Sequence, residues 1–227
     1  MSISSKLFTL MLTGLLALCI GPACYADNLV FYSTLGSGAD VYDSSNNGWP
    51  IYGAASPDGP GYQYALADPF TPINTGYFTE LDIALSYVNG DNSVVVDLMS
   101  NEIPLGPGSV LDSWVVSDLP PTQTCCTLQM LSSTASTPLL LTANTPYWVA
   151  VFPGGSDTYA GWDTNSTGVD TTIYANYGNG WTIDSGGPAG AFEVQGDTSL
   201  APEPSTLSLF GTGLLGLAGW LRRKACR

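Results

Sequence analysis

Short runs that alternate between apolar and polar residues dominate the middle of the chain. In the run TELDIALSY, Leu81, Ile83 and Leu85 fall on one face. Glu80 and Asp82 fall on the other, and this period of two is typical of a strand with one buried face. The runs SVVVDLMS, SVLDSWVV and YWVAVFP are rich in β-branched and aromatic residues and lie between turn residues. Since this part of the chain lacks helical periodicity, we predict an all-β fold, an antiparallel β-sandwich or jelly roll.

The first 26 residues have a different pattern. One cation, Lys6, precedes an apolar run from Leu7 to Ile20, which is followed by a Gly-Pro helix breaker and small residues. This order is typical of a secretory signal peptide, here a short signal helix with cleavage after Ala26. Two alternatives stay open: an uncleaved membrane anchor, for which the run is short, and lipid attachment at Cys24.

The end of the chain holds a second apolar stretch and most of the basic residues. Residues 207–221 are uncharged. As a helix they would reach about 22 Å, less than the ~30 Å hydrocarbon core, so they predict a minimal transmembrane helix. Arg222, Arg223 and Lys224 follow directly and resist translocation. By the positive-inside rule the tail stays on the cytoplasmic side and the body is exported.

These patterns divide the chain into three predicted parts. They are a signal peptide (1–26), a β-sandwich ectodomain (27–200) and a C-terminal sorting signal (201–227), the last with an apolar helix (207–221) and a basic tail (222–227).

The C-terminal segment carries a family resemblance. Pro202, Glu203 and Pro204, then a Gly-rich apolar stretch, then an Arg-rich end, resemble the PEP-CTERM sorting signal of Gram-negative bacteria. The resemblance implies recognition by an exosortase, a membrane-embedded transpeptidase-like enzyme, in organisms that make exopolysaccharide. It further implies a precursor in the inner membrane, held there by the C-terminal helix, and a mature protein at the cell surface or in the extracellular matrix.

The body has a resemblance of its own. The segments LVFYSTLG, GYQYALADPFTP, TCCTLQM, LTANTPYWVAVFPG, GWDTN and AFEVQG resemble the choice-of-anchor R type of exported bacterial domains. These families are defined by their attachment to alternative surface anchors. The resemblance therefore implies a location at the cell surface and no established activity.

The charge of the body excludes several classes of function. The chain has nineteen acidic residues, and all except Glu203 lie in residues 27–200, where there is no Lys, Arg or His. Such a surface repels nucleic acid, whose binding depends on Lys and Arg, and also repels anionic lipid. Without His or Lys there is no His-based triad, no imidazole metal site and no Schiff base. We therefore expect no nucleic-acid partner and no enzymatic activity.

Carboxylate chemistry is the remaining route to catalysis. A glycoside hydrolase needs two carboxyl groups about 5–10 Å apart, one of them with a raised pKa. Nothing in the spacing selects a pair among the eligible residues, which are Glu80, Asp82, Glu102, Asp112, Asp163 and Glu193.

Two cysteines are adjacent in the body. If processing removes Cys19, Cys24 and Cys226, then Cys125 and Cys126 have only each other within one molecule. An oxidising exterior favours a disulfide, so we predict a strained vicinal pair that forms a rigid turn. Intermolecular pairing and two free thiols are the alternatives.

Two polar loops suggest calcium as a candidate ligand, although no cofactor is certain. DSSNNG and DTNSTG place oxygen-bearing side chains at positions 1, 3 and 5 before a Gly, as calcium loops do. Their twelfth positions, Ala54 and Tyr174, lack the expected Glu, so exposed turns are the alternative. The candidate ligands are Asp43, Asn47, Asp163, Asn165 and Asp170.

The dipeptide Gly-Trp occurs three times. Trp49, Trp162 and Trp181 are therefore candidate stacking platforms for sugar rings, with packing in the core as the alternative. We predict a non-catalytic surface or matrix protein associated with exopolysaccharide. The alternatives are a carbohydrate-binding module with exposed aromatic residues and, third, a carboxylate-based glycoside hydrolase.

Overall fold

The computed structural model describes residues 28–38, 41–45, 48–102, 106–125 and 127–198. Within these ranges the chain forms β-strands and no helix, so the predicted all-β class is confirmed. The predicted signal peptide (1–26) and sorting signal (201–227) lie outside them, and the domain boundaries stay predictions. Among the described residues no helix is long and apolar enough to cross a membrane.

The strands of the described ranges are numbered in chain order. They are β1 (Leu29–Ser33), β2 (Trp49–Tyr52), β3 (Ala65–Phe70), β4 (Gly76–Ile83), β5 (Leu85–Asn89), β6 (Ser93–Asn101), β7 (Pro107–Ser117), β8 (Gln129–Ser132), β9 (Leu140–Leu141), β10 (Tyr147–Pro153), β11 (Tyr159–Trp162), β12 (Asp170–Asn176), β13 (Trp181–Pro188) and β14 (Phe192–Asp197).

These strands form three sheets. The first has the order β1-β14-β4-β8, with β9 also paired to β4; the second has the order β13-β12-β3-β10-β6-β7; the third is β2-β11-β5. All of the strand pairs are antiparallel. One buried cluster takes Leu81 from the first sheet, Val149 from the second and Ile51 from the third. The predicted sandwich is thus confirmed, with its main core between the sheets.

The alternating run TELDIALSY forms two strands in place of one. Leu81, Ile83 and Leu85 are fully buried, as their spacing predicts. However, β4 ends at Ile83 and pairs with β14, whereas β5 begins at Leu85 and pairs with β11 in the third sheet. At Ala84, between them, the backbone N–H donates to the Ala191 carbonyl and the carbonyl accepts from the Asp163 N–H. This exchange of partners moves the chain from one sheet to another without breaking its alternation.

The central strand of the second sheet is β10. It pairs with β3 on one side and β6 on the other, and Tyr147 to Val151 are all buried. Val149 faces the main core, while Trp148 and Ala150 belong to a smaller apolar cluster on the opposite face, which also includes Met99 and Tyr174. The second sheet therefore buries apolar residues on both faces, as the continuous apolar run YWVAVFP predicts.

Phe192 joins the sheets at the centre of the main core. Its side chain is fully buried, and its ring lies 5.3 Å from that of Tyr32, 6.1 Å from that of Phe70 and 5.8 Å from that of Trp162, measured between centroids. Aromatic contacts of this kind add to the stability from apolar burial.

We expect Phe192→Ala to lower the free energy of unfolding by about 3–5 kcal/mol, because it removes a buried ring and leaves a cavity. Urea unfolding followed by tryptophan fluorescence measures the change. The control is Met130→Ala, whose side chain is 71% exposed, and which should change stability by no more than about 0.5 kcal/mol. Equal losses in the two variants would contradict this account of the core.

Candidate functional site

Five tyrosines form a continuous row of rings, which we call the tyrosine strip. In order along the strip they are Tyr159, Tyr52, Tyr64, Tyr177 and Tyr62. Successive ring centroids are 4.5, 6.4, 5.5 and 5.6 Å apart. These distances lie within the range over which aromatic rings contact one another or nearly do so. The strip is thus one connected surface feature.

Strand pairing brings these distant residues together. Tyr52 and Tyr159 are register partners in the third sheet. Tyr64, just before β3, exchanges two backbone hydrogen bonds with Tyr52, at 2.8 and 3.0 Å. The β3–β12 pairing ends at Ala65 and Asn176, so Tyr177 comes next to Tyr64.

Carboxylates accompany the strip. Asp184 on β13 accepts a hydrogen bond from the Tyr64 hydroxyl at 2.9 Å and another from the Tyr177 hydroxyl at 2.5 Å. Asp58 accepts from the Asn89 side-chain amide and is close enough to Tyr52 to help raise the pKa of that phenol. The strip therefore combines apolar ring faces with acceptor groups.

The environment keeps the phenols protonated. The hydrogen bond to Asp184, followed by burial, raises the pKa of Tyr177 to about 12. Burial, followed by the hydrogen bond to Asp184, also raises the pKa of Tyr64 above its ordinary value. Burial, followed by a hydrogen bond with Tyr159, also raises the pKa of Tyr52. At neutral pH these hydroxyls are uncharged, and those of Tyr64 and Tyr177 donate to Asp184.

The two ends of the strip differ in exposure. Tyr62 is 45% exposed, while the other four tyrosines are half-buried. The Tyr62 ring meets that of Tyr177 at 80°, and the Tyr64 and Tyr177 rings meet at 42°. The rings thus form an angled surface that opens to solvent at Tyr62. Such a surface can pack against the apolar faces of a ligand while Asp184 accepts hydrogen bonds from it.

The three predicted stacking tryptophans lie elsewhere. Trp162 is 1% exposed and packs in the main core, so its ring is not accessible to a sugar. Trp49 is half-buried, and its indole N–H donates to the Pro188 carbonyl at 2.8 Å. Trp181 is half-buried and packs edge-on against Phe152, with the ring centroids 5.4 Å apart.

The tyrosines were missed because Gly-Trp was the more conspicuous pattern. The segment GYQYALADPFTP contains both Tyr62 and Tyr64, spaced so that they share a face of an extended chain. That spacing was the available signal. Nothing local in the sequence indicates that Tyr52, Tyr159 and Tyr177 join them.

The structure brings the two predicted calcium loops together. The Asp43 N–H donates to the Thr164 carbonyl at 2.8 Å. Because Asp163 directly precedes Thr164, this hydrogen bond brings the loop of Asp43 beside the loop of Asp163. Asp163 is 1% exposed, and the Ser86 hydroxyl donates to it at 3.4 Å. Burial raises the pKa of Asp163 to about 7, and the charge of Asp43 adds to this effect.

The other predicted ligands have different surroundings. The Asn165 amide donates to the carbonyls of Val169 and Ala189, both at 2.8 Å, and its oxygen accepts from the Val169 N–H at 3.0 Å. Its side chain therefore shapes the turn. Asp170 is exposed at the start of β12, and Asn47 lies outside the described residues.

No group of three or more His, Cys, Asp or Glu side chains is placed to hold a metal ion in the part of the chain that the structure describes. Calcium binding stays a prediction, and the proximity of Asp43 to Asp163 is its structural support.

The structure describes one of the two adjacent cysteines. Cys125 is in a disulfide, but Cys126 lies outside the described residues. The vicinal pairing of these two cysteines stays a prediction.

Three of the carboxylates that the sequence makes eligible for glycoside hydrolysis lie close together on the first sheet: Glu80, Asp82 and Glu193. Asp82 is the register partner of Glu193, and the Gln195 amide donates to Asp82 at 2.9 Å and to Glu193 at 3.2 Å. Burial, with smaller contributions from the charges of Glu80 and Glu193, raises the pKa of Asp82 to about 6.

A cleft of about 580 Å³ lies elsewhere, beside β12. It includes Asp170 and none of the three gathered carboxylates; its lining residues are Pro69, Trp148, Asp170, Thr171, Thr172, Gly186 and Gly187.

Comparison with known proteins identifies the C-terminal segment. Residues 200–224 match the PEP-CTERM protein-sorting motif. No curated protein and no solved structure matches the chain. The motif contains Pro202, Glu203 and Pro204, and the predicted sorting signal is confirmed. The resemblance of the body to the choice-of-anchor R type stays a prediction.

We expect Asp163→Asn to become more stable relative to wild type as the pH rises. The folded wild type keeps a proton on Asp163 up to a pKa of about 7, whereas the unfolded chain releases it near 4. The unfolding free energy of wild type therefore falls through this window, by up to about 1.4 kcal/mol per pH unit from this group, and Asp163→Asn removes that fall.

Urea titrations of both proteins from acid to neutral pH, with and without calcium, test this expectation. A pH-independent difference between them would contradict the raised pKa. A rise in the unfolding free energy with calcium that Asp163→Asn abolishes would support the calcium prediction, and no rise in wild type would contradict it.

We expect replacement of Pro202, Glu203 and Pro204 by Ala to leave the protein as an unprocessed, membrane-associated precursor in an exosortase-containing producer, because the enzyme no longer recognises its signal. Mass spectrometry of the membrane and exported fractions measures this. Thr198→Ala, outside the matched residues, is the control. Export of the triple-Ala variant in the same processed form as wild type would contradict the expectation.

Proposed function

Since the chain carries a PEP-CTERM signal, which marks an exported protein processed by a membrane exosortase, we propose that it is a non-catalytic component of the cell surface or extracellular matrix. We further propose that it associates with exopolysaccharide through the tyrosine strip. A cleaved signal peptide starts the export, and the precursor stops at the inner membrane before it is sorted.

The tyrosine strip is the observation that carries this proposal. Sugar rings have apolar faces that pack on aromatic rings, and hydroxyl groups that hydrogen-bond to carboxylates and amides. Tyr62 offers an exposed ring, the strip extends it over four more rings, and Asp184 supplies acceptor oxygens beside it. A polymer also meets this strip on many copies of a surface protein at once, so weak single contacts suffice for retention.

Two features support a role without catalysis. The body contains no His, Lys or Arg, which leaves carboxyl groups as the acid–base and nucleophilic candidates. Asp82 has the raised pKa that a general acid needs. It lies with Glu193 on a sheet face, apart from the cleft beside β12. A glycoside hydrolase built on Asp82 and Glu193 is the second candidate, favoured by the pairing of the two residues across β4 and β14 and by the raised pKa of Asp82.

We expect Tyr62→Ala and Tyr177→Ala each to weaken binding of the producer's own exopolysaccharide by about two- to tenfold, because each removes an aromatic contact worth ~0.5–1.5 kcal/mol. The measurement is calorimetric titration of the exported protein, purified from its producer. The matched control is Val115→Ala, which shortens a side chain that is 75% exposed on β7, and which should bind as wild type does.

The same titration tests catalysis if the polymer length is measured before and after. Absence of saturable binding by wild type would refute the association with exopolysaccharide. Shortening of the polymer, lost in Asp82→Asn, would replace the non-catalytic role with the glycoside hydrolase.

A further inference from the structure

Residues 27–200 carry no positively charged side chain. Their eighteen acidic residues stand against no Lys, Arg or His, and the cations of the whole chain are confined to the predicted signal peptide and tail. A ligand with uronate, phosphate or sulfate groups is repelled at every approach to this surface. A ligand that carries positive charge is attracted. Among the polysaccharides that an aromatic strip can bind, the negative charge of the body therefore favours cationic ones over anionic ones.

Near Tyr62 the strip has the geometry that favours a cation. The rings of Tyr62 and Tyr177 meet edge to face, at an interplanar angle of 80° with their centroids 5.6 Å apart, so their planes form a corner at the exposed end of the strip. A protonated amine is attracted to the face of a Tyr ring within about 6 Å of its centroid. Asp184 lies at the same corner, because its carboxylate accepts the hydrogen of the Tyr177 hydroxyl at 2.5 Å.

The hydrogen bonds at the corner also favour a donor-rich ligand. The hydroxyls of Tyr64 and Tyr177 already donate to Asp184, one to each carboxylate oxygen, and the Ser185 hydroxyl makes a longer contact of 3.5 Å. A carboxylate has about four acceptor positions, so Asp184 retains capacity for one further donor. An ammonium group has three donors and no acceptor, which is the complement of this arrangement.

We propose that the corner formed by Tyr62, Tyr177 and Asp184 binds the protonated amines of an amino-sugar polysaccharide. This inference rests on the proposed function and names the chemical class of its ligand. The ammonium group lies over the ring of Tyr62 or Tyr177 and donates to Asp184, while the sugar ring packs along the strip. A neutral or acidic polysaccharide lacks the first of these contacts.

The test compares two soluble probes of equal length that differ at the 2-amino group: glucosamine oligomers, whose amines carry protons, and N-acetylglucosamine oligomers, whose amides are neutral. Both are titrated into the exported protein at mildly acidic pH, where the amines carry protons. Glucosamine oligomers should bind more tightly. Asp184→Asn should weaken their binding about two- to fivefold, as expected for an exposed charge pair, and Tyr62→Ala should do so by a similar factor through the lost cation–ring contact.

A matched charge control separates this corner from general attraction of a cation to an acidic protein. Asp118→Asn removes the same charge from an exposed position after β7, and its positive φ of 58° is one that Asn tolerates. It should bind glucosamine oligomers almost as wild type does. Equal weakening by Asp118→Asn and Asp184→Asn would refute the proposal, because the attraction would then come from the whole surface.

The two proposals fail in different ways. Equal or tighter binding of N-acetylglucosamine oligomers would refute amine recognition, while saturable binding of the producer's exopolysaccharide would still support the proposed function. Failure of that exopolysaccharide to bind at all, in the parallel titration, would refute the proposed function. Circular dichroism of each variant in the aromatic region verifies that the strip has kept its packing.

Discussion

The structure depends on how carboxylates are accommodated in a body without cations. Between residues 27 and 200 no side-chain salt bridge can form, because there is no Lys, Arg or His. Hydroxyl and amide donors take that role. Asp112 shows it most fully: it accepts from the Ser113 N–H, the Ser133 hydroxyl, and both the N–H and the hydroxyl of Thr134.

Burial and the number of donors together set the direction of the pKa shift at Asp112 and Asp68. The four donors around Asp112 outweigh the effect of its burial and lower its pKa. Asp68 is fully buried with one donor, the Gly190 N–H, and burial raises its pKa to about 7. The Ser and Thr content of the sequence is therefore part of its electrostatics, since these residues hold negative charge where a salt bridge is absent.

Local sequence patterns predicted what local physics determines. Alternation at Leu81, Ile83 and Leu85 predicted buried strand faces. The sorting signal could be recognised in the sequence because its parts follow one another directly along the chain. The change of sheet at Ala84 could not be predicted from the sequence nearby, because hydrogen bonds to Ala191 and Asp163 determine it. Both of these residues are distant from Ala84 in the sequence.

The candidate site was predicted in its chemistry and missed in its residues. Exposed aromatic rings were expected, but the Gly-Trp repeats indicated Trp162, which is buried, and did not indicate the tyrosines. Trp162 enters the core in close contact with Gly190, where a Cβ would lie 2.3 Å from the indole ring. The tyrosine strip depends on the pairing of four separate chain segments, among them Tyr52 with Tyr159 and Tyr64 with Tyr177. Such pairing is a property of the sheet register and is invisible in any single stretch of sequence.

The position of β14 has a mechanical consequence. This strand, Phe192–Asp197, directly precedes the sorting signal, and it lies inside the first sheet between β1 and β4. Its hydrogen bonds to both neighbours run perpendicular to the strand. Tension applied along the axis of β14 loads both rows of hydrogen bonds in shear at the same time. A strand at the edge of the sheet has one such row, so its separation breaks half as many bonds.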